Sequence, residues 1–483
     1  MFLTMNHNPA DGIHFFEPKS EMLALLIVVL AAVSTASANG HEKVLYSFQG
    51  GTDGATPVGK VVFDTAGNLY GVTQNGGSSS CPSIYQCGTV YQLAPPAKKG
   101  DPWTETVLYV FKGNAGSDGA SPFGGLVIDG AGNLFGATAY GGTGDCVLLG
   151  SKLGCGAVFE LSPPKQKDGK WSETVLYSFP TAMQGYVPWG DLVFDNAGNL
   201  YGATQFGGGR GTTCNGFYQD CGAVFELSPP KTRGGRWTEK VLYGFKGVRN
   251  GAQFGDGANP NGGLVLDDKG TIFGTTFFGG NNEKGKCQGG NGGTGCGTVF
   301  MLQPPTTKGG VWTEKVIHRF DAQNGSNPSA GIVFDGKGDL YGATSAGPKN
   351  GYGLVFELKK PSRTGGWTET LLSLLNDRNE GGYPMSALVF SGKGELYGTA
   401  SSGDEFRGGT LFRLSPTPKK KKRGRQGWSF HVLHGFTGSP DGAYPAATTL
   451  VLDKLGNVFS NTQLGGTGQS CQGGCGAVYE VSP

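Results

Sequence analysis

A chain of 483 residues would ordinarily divide into two or three domains, and a content of 89 Gly and 26 Pro would ordinarily approach that of a disordered chain. A formal charge of only +2 argues against a nucleic-acid binder, whose domains are strongly basic. Both structural priors yield to a tandem repeat written seven times, with its glycines periodic and flanked by β-branched and aromatic runs.

In chain order, the first element is an apolar run from Met22 to Val33 followed by Ala36-Ser37-Ala38, which predicts a signal peptide over 1–38, cleaved after Ala38. The run is too short to span a bilayer, so no transmembrane span is expected in the mature chain. The region before it is acidic at Asp11, Glu17 and Glu21, where such leaders are normally basic. The next run, Lys43 to Phe48, has the pattern of a strand and matches the last strand of a repeat.

The repeats then follow over 39–483, with blades expected to begin near 58, 123, 189, 262, 330, 386 and 446. Each reads G-N-L-Y-G-A-T, a Gly-rich loop, C-G-A-V-F-E-L-S-P-P, a basic turn, W-T-E-T-V-L-Y-S-F, and D-G-A-x-P-x-G-G-L-V-F-D. The aromatic of the first segment stands at Tyr70, Phe135, Tyr201, Phe273, Tyr341, Tyr397 and Phe459, a period of 56 to 72 residues. In the third copy the strand-like runs are Trp189 to Phe194, Leu200 to Thr204, Ala223 to Leu227 and Thr238 to Phe245, the first two joined by a tight turn at Asp195 to Asn199. Four short strands repeated radially predict an all-β, seven-bladed β-propeller. The chain stops after a third strand, at Pro483, and has one fourth strand to spare at its beginning, so Lys43 to Phe48 is expected to complete the last blade and close the ring. Trp103, Trp171, Trp237, Trp312, Trp367 and Trp428 each open a fourth strand and read as packing residues; only Trp189 is left over.

The ten cysteines fall into five local pairs, Cys81 with Cys87, Cys146 with Cys155, Cys214 with Cys221, Cys287 with Cys296, and Cys471 with Cys475. Copies five and six lack both members together. No His or further Cys stands beside any pair, so disulfides are expected rather than zinc, together with a secreted or periplasmic location.

The run from G-N-L-Y-G-A-T to C-G-A-V-F-E-L-S-P-P, with W-T-E-T-V-L-Y-S-F, resembles the GloVer-type tandem repeats of secreted bacterial proteins over essentially all of Lys43 to Pro483. That resemblance implies an exported or surface-displayed repeat protein and carries no catalytic residues. Members often end in an anchoring domain, whereas this chain ends at Pro483, which favours release over display. The segment P-x-G-G-L-V-F-D-x-A-G-N-L-Y also looks like the inner hairpin of NHL-type propellers.

In a propeller the D-G-x-x-P loops and the Cys-bearing loops emerge on one face, and varied loops on a rigid scaffold are where binding resides. Asp53, Asp118, Gln184, Asp256, Asn324, Glu380 and Asp441 each precede a Gly, four positions before a Pro, and are expected to form a ring at the channel mouth. The five carboxylates could hold Ca²⁺ or a polyhydroxylated ligand, or could simply cap turn backbone. Tyr140, Tyr186, Trp189, Phe206 and Phe278, with Phe254, gather on the same side in copies two to four, as a stacking surface or as a cover for the disulfide loops. On the opposite face the turns carry Lys98, Lys99, Lys165, Lys167, Lys170, Lys231, Arg233, Arg236, Lys308, Lys359, Lys360, Arg363, Lys419 to Arg423 and Arg425, a one-sided field suited to an anionic envelope polymer. His41, His318, His431 and His434 all lie in outer strands, and no catalytic motif is present. The expected function is a monomeric binding or interaction module for a carbohydrate-like or cell-envelope ligand. A polysaccharide lyase or glycoside hydrolase using ring carboxylates, and a structural envelope protein, are the alternatives.

Overall fold

The computed structural model describes residues 40–483 except for 79–86, 114–116, 149–150, 167–168, 209–220, 233, 248–254, 281–286, 288–294, 349–350, 363–364, 377–379, 404–407, 419–426 and 446–448. The compact unit Ala38–Pro483 is a seven-bladed β-propeller of antiparallel sheets. Short 3₁₀ turns such as Gly51–Asp53 and Ala182–Gln184 are interspersed, and the described residues contain no α-helix.

Blade 3 shows how the sequence makes a blade. Val193–Phe194 pairs with Leu200–Phe206, which pairs with Ala223–Ser228, which pairs with Thr238–Gly244. The inner hairpin is fixed by Asp195, whose Oδ1 accepts the N–H groups of Ala197 and Asn199 at 2.8 and 2.9 Å, while Gly198 takes the positive φ of 84° that the turn requires. Asp64, Asp129, Asp267, Asp335 and Asp453 make the same pair of bonds in their own blades.

The innermost strand departs from the expected Trp189 to Phe194. It is split into Tyr186–Pro188 and Val193–Phe194, because at Gly190 the backbone lies against the next blade and cannot stay in its own ladder. A second departure is a bulge in each outer strand. In blade 2, Val158 pairs with Tyr177 but Phe159 pairs with Val175, which drops Leu176 out of the ladder and buries it. The outer strand thereby turns Leu176 and then Phe179 inward.

The core lies between blades rather than within them. At six of the seven seams the Phe that ends an outer strand packs against the aromatic of the next blade's third strand, while at the seam of blades 5 and 6 Leu375 takes that place in one core with Phe412. The pairs are Phe48–Tyr91, Phe111–Phe159, Phe179–Phe225, Phe245–Phe300, Phe320–Phe356 and Phe436–Tyr479, with ring centroids 4.9 to 5.3 Å apart. All twelve rings are buried. The Gly of G-N-L-Y-G lies under that third-strand ring, and a Cβ at Gly202 would meet Phe225 Cζ at 2.5 Å.

A backbone latch adds to each seam. The residue before each repeat's Pro (Thr56, Ser121, Val187, Asn259, Asn327, Tyr383, Tyr444) sits at φ 51° to 57°. For a non-Gly residue that precedes Pro this is doubly unfavourable. Its N–H donates at 2.6 to 3.1 Å to a carbonyl of the preceding blade: Cys475, Cys87, Cys155, Cys221, Cys296, Tyr352 and Gly408 respectively. Seven identical bonds, one per seam, compensate the strain.

The ring closes as expected from the sequence, with a slightly longer strand. His41–Ser47 pairs antiparallel with Ala477–Ser482, from His41 opposite Ser482 to Ser47 opposite Ala477. Deleting the residues through Phe48 strips blade 7 of its outer strand and leaves the buried Val478 and Tyr479 beside a bare edge. The truncated protein is expected to aggregate or to melt far below a chain that begins at Asn39 in a thermal scan; equal melting would contradict closure.

Candidate functional site: channel mouth and disulfide-loop face

The polar residues of the D-G loops are engaged at the seams. Asp53 accepts Tyr46 Oη at 3.1 Å and the Gln49 N–H at 2.8 Å. Asp118 accepts Tyr109 Oη at 2.6 Å and the Lys112 N–H at 3.3 Å; Asp256 accepts Tyr243 Oη at 2.6 Å and the Lys246 N–H at 2.9 Å. Asp441 lies 3.1 Å from His434 Nε2 and accepts from Thr437, and Glu380 accepts from the backbone and side chain of Asn376. Each ties the end of one outer strand to the connection entering the next blade. Burial raises the pKa of Asp256 and Glu380, whereas at Asp441 burial is outweighed by hydrogen bonds from His434 and Thr437 and the pKa falls.

The aromatics expected on this face divide. Tyr140, Tyr186 and Phe206 are only 6%, 8% and 5% exposed and share a core with Cys146 and Cys155. Phe278 is half-buried edge-on against Phe277, and Phe254 lies outside the described residues. Trp189 alone reaches the axis, where it stacks on Phe123 with centroids 3.5 Å apart and an interplanar angle of 28°.

The axis itself is nearly shut. Gly124, Gly190 and Gly262 form a collar in which an added Cβ would lie 2.4 Å from Gly190 O, 2.6 Å from Gly262 O and 2.4 Å from the Gly331 nitrogen respectively. Asp191, which the sequence did not single out, accepts the Gly125 N–H at 2.6 Å and, from across the ring, Thr449 Oγ1 at 2.9 Å. The remaining cavity of about 40 Å³ is on the scale of a water molecule. Phe123, Trp189, Asn261, Ser329 and Met385, each the residue after a repeat Pro, line it. Asn261 Oδ1 is buried there with no hydrogen-bond partner among the described residues. Tyr383 and Tyr444, each just before its repeat's Pro, are 42% and 45% exposed.

Sequence reasoning also missed a second set of acids. The Glu of each W-T-E segment points back to the preceding seam; Tyr177 Oη donates to Glu239 at 3.3 Å, and Glu369 lies 3.5 Å from His318 Nε2. Glu42, Glu105, Glu173, Glu239 and Glu314 each keep a buried Oε1 without a hydrogen-bond partner among the described residues. Burial pushes Glu105, Glu173, Glu239, Glu314 and Glu369 up to about 7, and the facing Asp53, Asp118 and Asp256 add to the rise at Glu105, Glu173 and Glu314. Their signal was the recurrence of a charge at an inward-facing strand position.

Disulfides join Cys146 to Cys155, Cys287 to Cys296 and Cys471 to Cys475. Cys87 and Cys221 are disulfide-bonded as well, and their expected partners, Cys81 and Cys214, lie outside the described residues. These bonds point to an oxidising, non-cytoplasmic compartment. Among the described residues no helix is long and apolar enough to cross a membrane, and no group of three or more His, Cys, Asp or Glu could hold a metal ion. On the opposite face Lys98, Lys99, Lys165, Lys170, Lys231, Arg236, Lys308, Lys359 and Lys360 are exposed; Lys167, Arg233, Arg363, Lys419 to Arg423 and Arg425 lie outside the described residues.

Fold and surfaces together define a disulfide-bonded repeat propeller closed at its axis. The chain belongs to the Gloeobacter/Verrucomicrobia repeat family, whose model matches residues 31–212 and 286–483. No curated protein sequence matches it significantly. Among solved structures it is similar to a putative 6-phosphogluconolactonase from Bacteroides uniformis, at 12% identity and TM-score 0.44, covering 81% of this chain and 95% of that one. A second putative 6-phosphogluconolactonase, from Bacteroides fragilis, matches at 12% identity and TM-score 0.43 over 93% of this chain and 99% of that one. A putative glucose dehydrogenase from Thermus thermophilus matches at 13% and 0.39 over 92% and 100%. Likeness at this level is no guide to activity.

Two measurements follow from the seams. Replacing Cys146 and Cys155 together by Ser opens a loop of sequence separation 9 that presents the Cys155 carbonyl to Val187, and should cost about 2–3 kcal/mol in denaturant unfolding; an unchanged midpoint would show that the latch holds without the bond. The seam glutamates make stability depend on pH. Between the unfolded pKa near 4.5 and the folded value near 7 the folded chain holds protons that the unfolded chain has released, so their contribution is present at acid pH and lost as pH rises through 7. His318, pushed down to about 4 by burial, opposes this in the same window, one group against five. The protein should therefore melt several degrees higher at pH 5.5 than at pH 8, with a smaller difference in a Glu105→Gln/Glu173→Gln variant.

Proposed function

We propose that this protein is an exported, non-catalytic interaction propeller that binds a carbohydrate-like ligand at the channel mouth on its disulfide-loop face. The observation that carries the reading is the stacked Phe123–Trp189 pair at the axis. An aromatic platform suits the apolar face of a sugar ring. The closed collar keeps the ligand at the mouth, and the exposed Tyr383 and Tyr444 rings offer further contact around it. The D-G carboxylates are occupied by seam hydrogen bonds, which favours a binder over the lyase or hydrolase reading, since either chemistry needs a free acid and base facing one substrate. The disulfides and the apolar run before Ala38 support export, with the mature chain starting at Asn39.

The test is titration calorimetry of the mature protein against a glycan panel. Trp189→Ala and Tyr444→Ala should each weaken the best ligand by about tenfold, the scale of an interface anchor, while their thermal midpoints stay near that of the parent. Parental affinity in both variants, or release of reducing ends or unsaturated sugars from any polysaccharide, would overturn this reading.

A further inference from the structure

Open grooves run between blades on the opposite face. A groove of about 930 Å³ runs between blades 5 and 6, walled by the half-buried Phe390 and Trp428 over the buried Tyr341. A second groove, of about 410 Å³, runs between blades 4 and 5, walled by Phe334 and Trp367 over Phe273. The two adjoin, because both are lined by Phe334, Asp335, Gly336 and Lys337.

The lining breaks the repeat where the ring does not require it. In blades 1, 2, 3 and 7 the last residue of the inner turn is an Asn whose Nδ2 donates to the turn Asp at 2.7 to 2.9 Å. In blade 5 that residue is Asp339, so the Asp335 Oδ2 loses its donor. Asp335 accepts only through Oδ1, and Asp339 only from the Lys360 N–H through Oδ1, which leaves each with a carboxylate oxygen that makes no hydrogen bond among the described residues. Lys337 and Lys393 occupy the exposed tips of two successive Gly-Lys-Gly turns and make no ion pair among the described residues. Blades 1 to 3 carry Ala66, Ala131 and Ala197 at this place, blade 4 carries Lys269 and blade 7 carries Leu455.

We propose that these two adjoining grooves form an extended binding site for a linear, uncharged polysaccharide. Each groove supplies what a sugar ring needs: a Trp and a Phe ring for its C–H face, with Lys and Asp groups as hydroxyl donors and acceptors. Ammonium and carboxylate groups stand together around the rim, so no single-sign field selects a charged ligand. The same set of side chains is set down twice by the blade repeat, and a repeating polymer can engage both grooves as one ligand, with the second contact made at high effective concentration. The residues are separate from the channel mouth, so this site stands or falls independently of the one proposed there.

The experiment uses the full mature chain with cellohexaose, xylohexaose and mannohexaose as uncharged probes, and polygalacturonate and chitosan as anionic and cationic controls, read by calorimetry and by affinity gels. An uncharged hexasaccharide should bind about tenfold or more tightly than its trisaccharide, because only the longer chain reaches both grooves. In a Trp189→Ala background, which removes the channel mouth's contribution, Lys337→Ala, at an exposed tip shared by both grooves, and Trp428→Phe, which keeps the seam filled, should each weaken the hexasaccharide. Failure of all three uncharged probes to bind, stronger retention on polygalacturonate or chitosan, or full affinity in the Lys337→Ala/Trp428→Phe double variant of that background would each overturn the proposal.

Discussion

Everything in this molecule hangs on the seam between one blade and the next. A four-stranded blade has two apolar faces and cannot bury either alone, so stability has to come from stacking neighbours. The chain meets this with three interlocking devices at each junction. At six junctions an aromatic ending one outer strand is driven against an aromatic of the next blade, and at the seventh Leu375 fills the place, which contributes roughly 1.5–3 kcal/mol for each such side chain buried. A pre-proline residue is held at positive φ so that its N–H reaches the carbonyl across the seam. The Gly that follows that carbonyl lets the next repeat's Pro approach so closely that a Cβ at Gly222 would lie 2.6 Å from Pro260 Cδ.

The disulfides belong to this same junction. Where they are present, the second Cys of the pair supplies the latch carbonyl, so the bond rigidifies the acceptor that the strained donor must find. Blades 5 and 6 lack cysteines, and their latch carbonyls come from Tyr352 and Gly408. The donors opposite them are Tyr383 and Tyr444, and Tyr383 makes a ring contact with Tyr352 at 5.8 Å. An aromatic contact thus stands at one seam where a covalent bond stands elsewhere, and the other exposed ring sits at the neighbouring seam.

Much of the fold was legible because it is written in local chemistry. The Asp that caps six inner turns, with Ser391 in its place in blade 6, the Gly at positive φ and the unmatched outer strand at the chain start are decided within a few residues or by counting, and the ring closes through His41–Ser47 accordingly. The packing role of the outer-strand tryptophans was legible in the same way, and Trp171 and Trp428 do lie against Tyr70 and Tyr341 of the preceding blades. What was not legible depends on distances between blades. Period-two alternation gives no hint of the bulge at Leu176, and P-W-G-D-L reads as continuous strand until Gly190 is seen against Gly262. The candidate site suffered most. The five carboxylates, read either as a ligand ring or as caps of turn backbone, accept backbone N–H groups as caps do and also bond to outer-strand Tyr and His, while Asp191, which ties three blades at the axis, looked like one more loop residue.

That outcome suggests how function should be sought in such a chain. Positions that serve the same contact around the ring are accounted for by it: the turn cap, the pre-proline latch, the collar and the seam plug each have a mechanical duty, even where Ser391 replaces the turn Asp and Leu375 the plug Phe. A side chain present in one or two copies has no such duty. Trp189 stacked on Phe123 at the axis, Tyr383 and Tyr444 on its rim, and Asp339 in the blade 5 turn are of that kind. They lie on two opposite faces, and the collar between them leaves room only for water. A ligand on one face therefore has no path to the other through the axis, and coupling between faces would have to pass through seams that are already close-packed. The propeller is better built to hold two surfaces at a fixed separation than to transmit a change from one to the other.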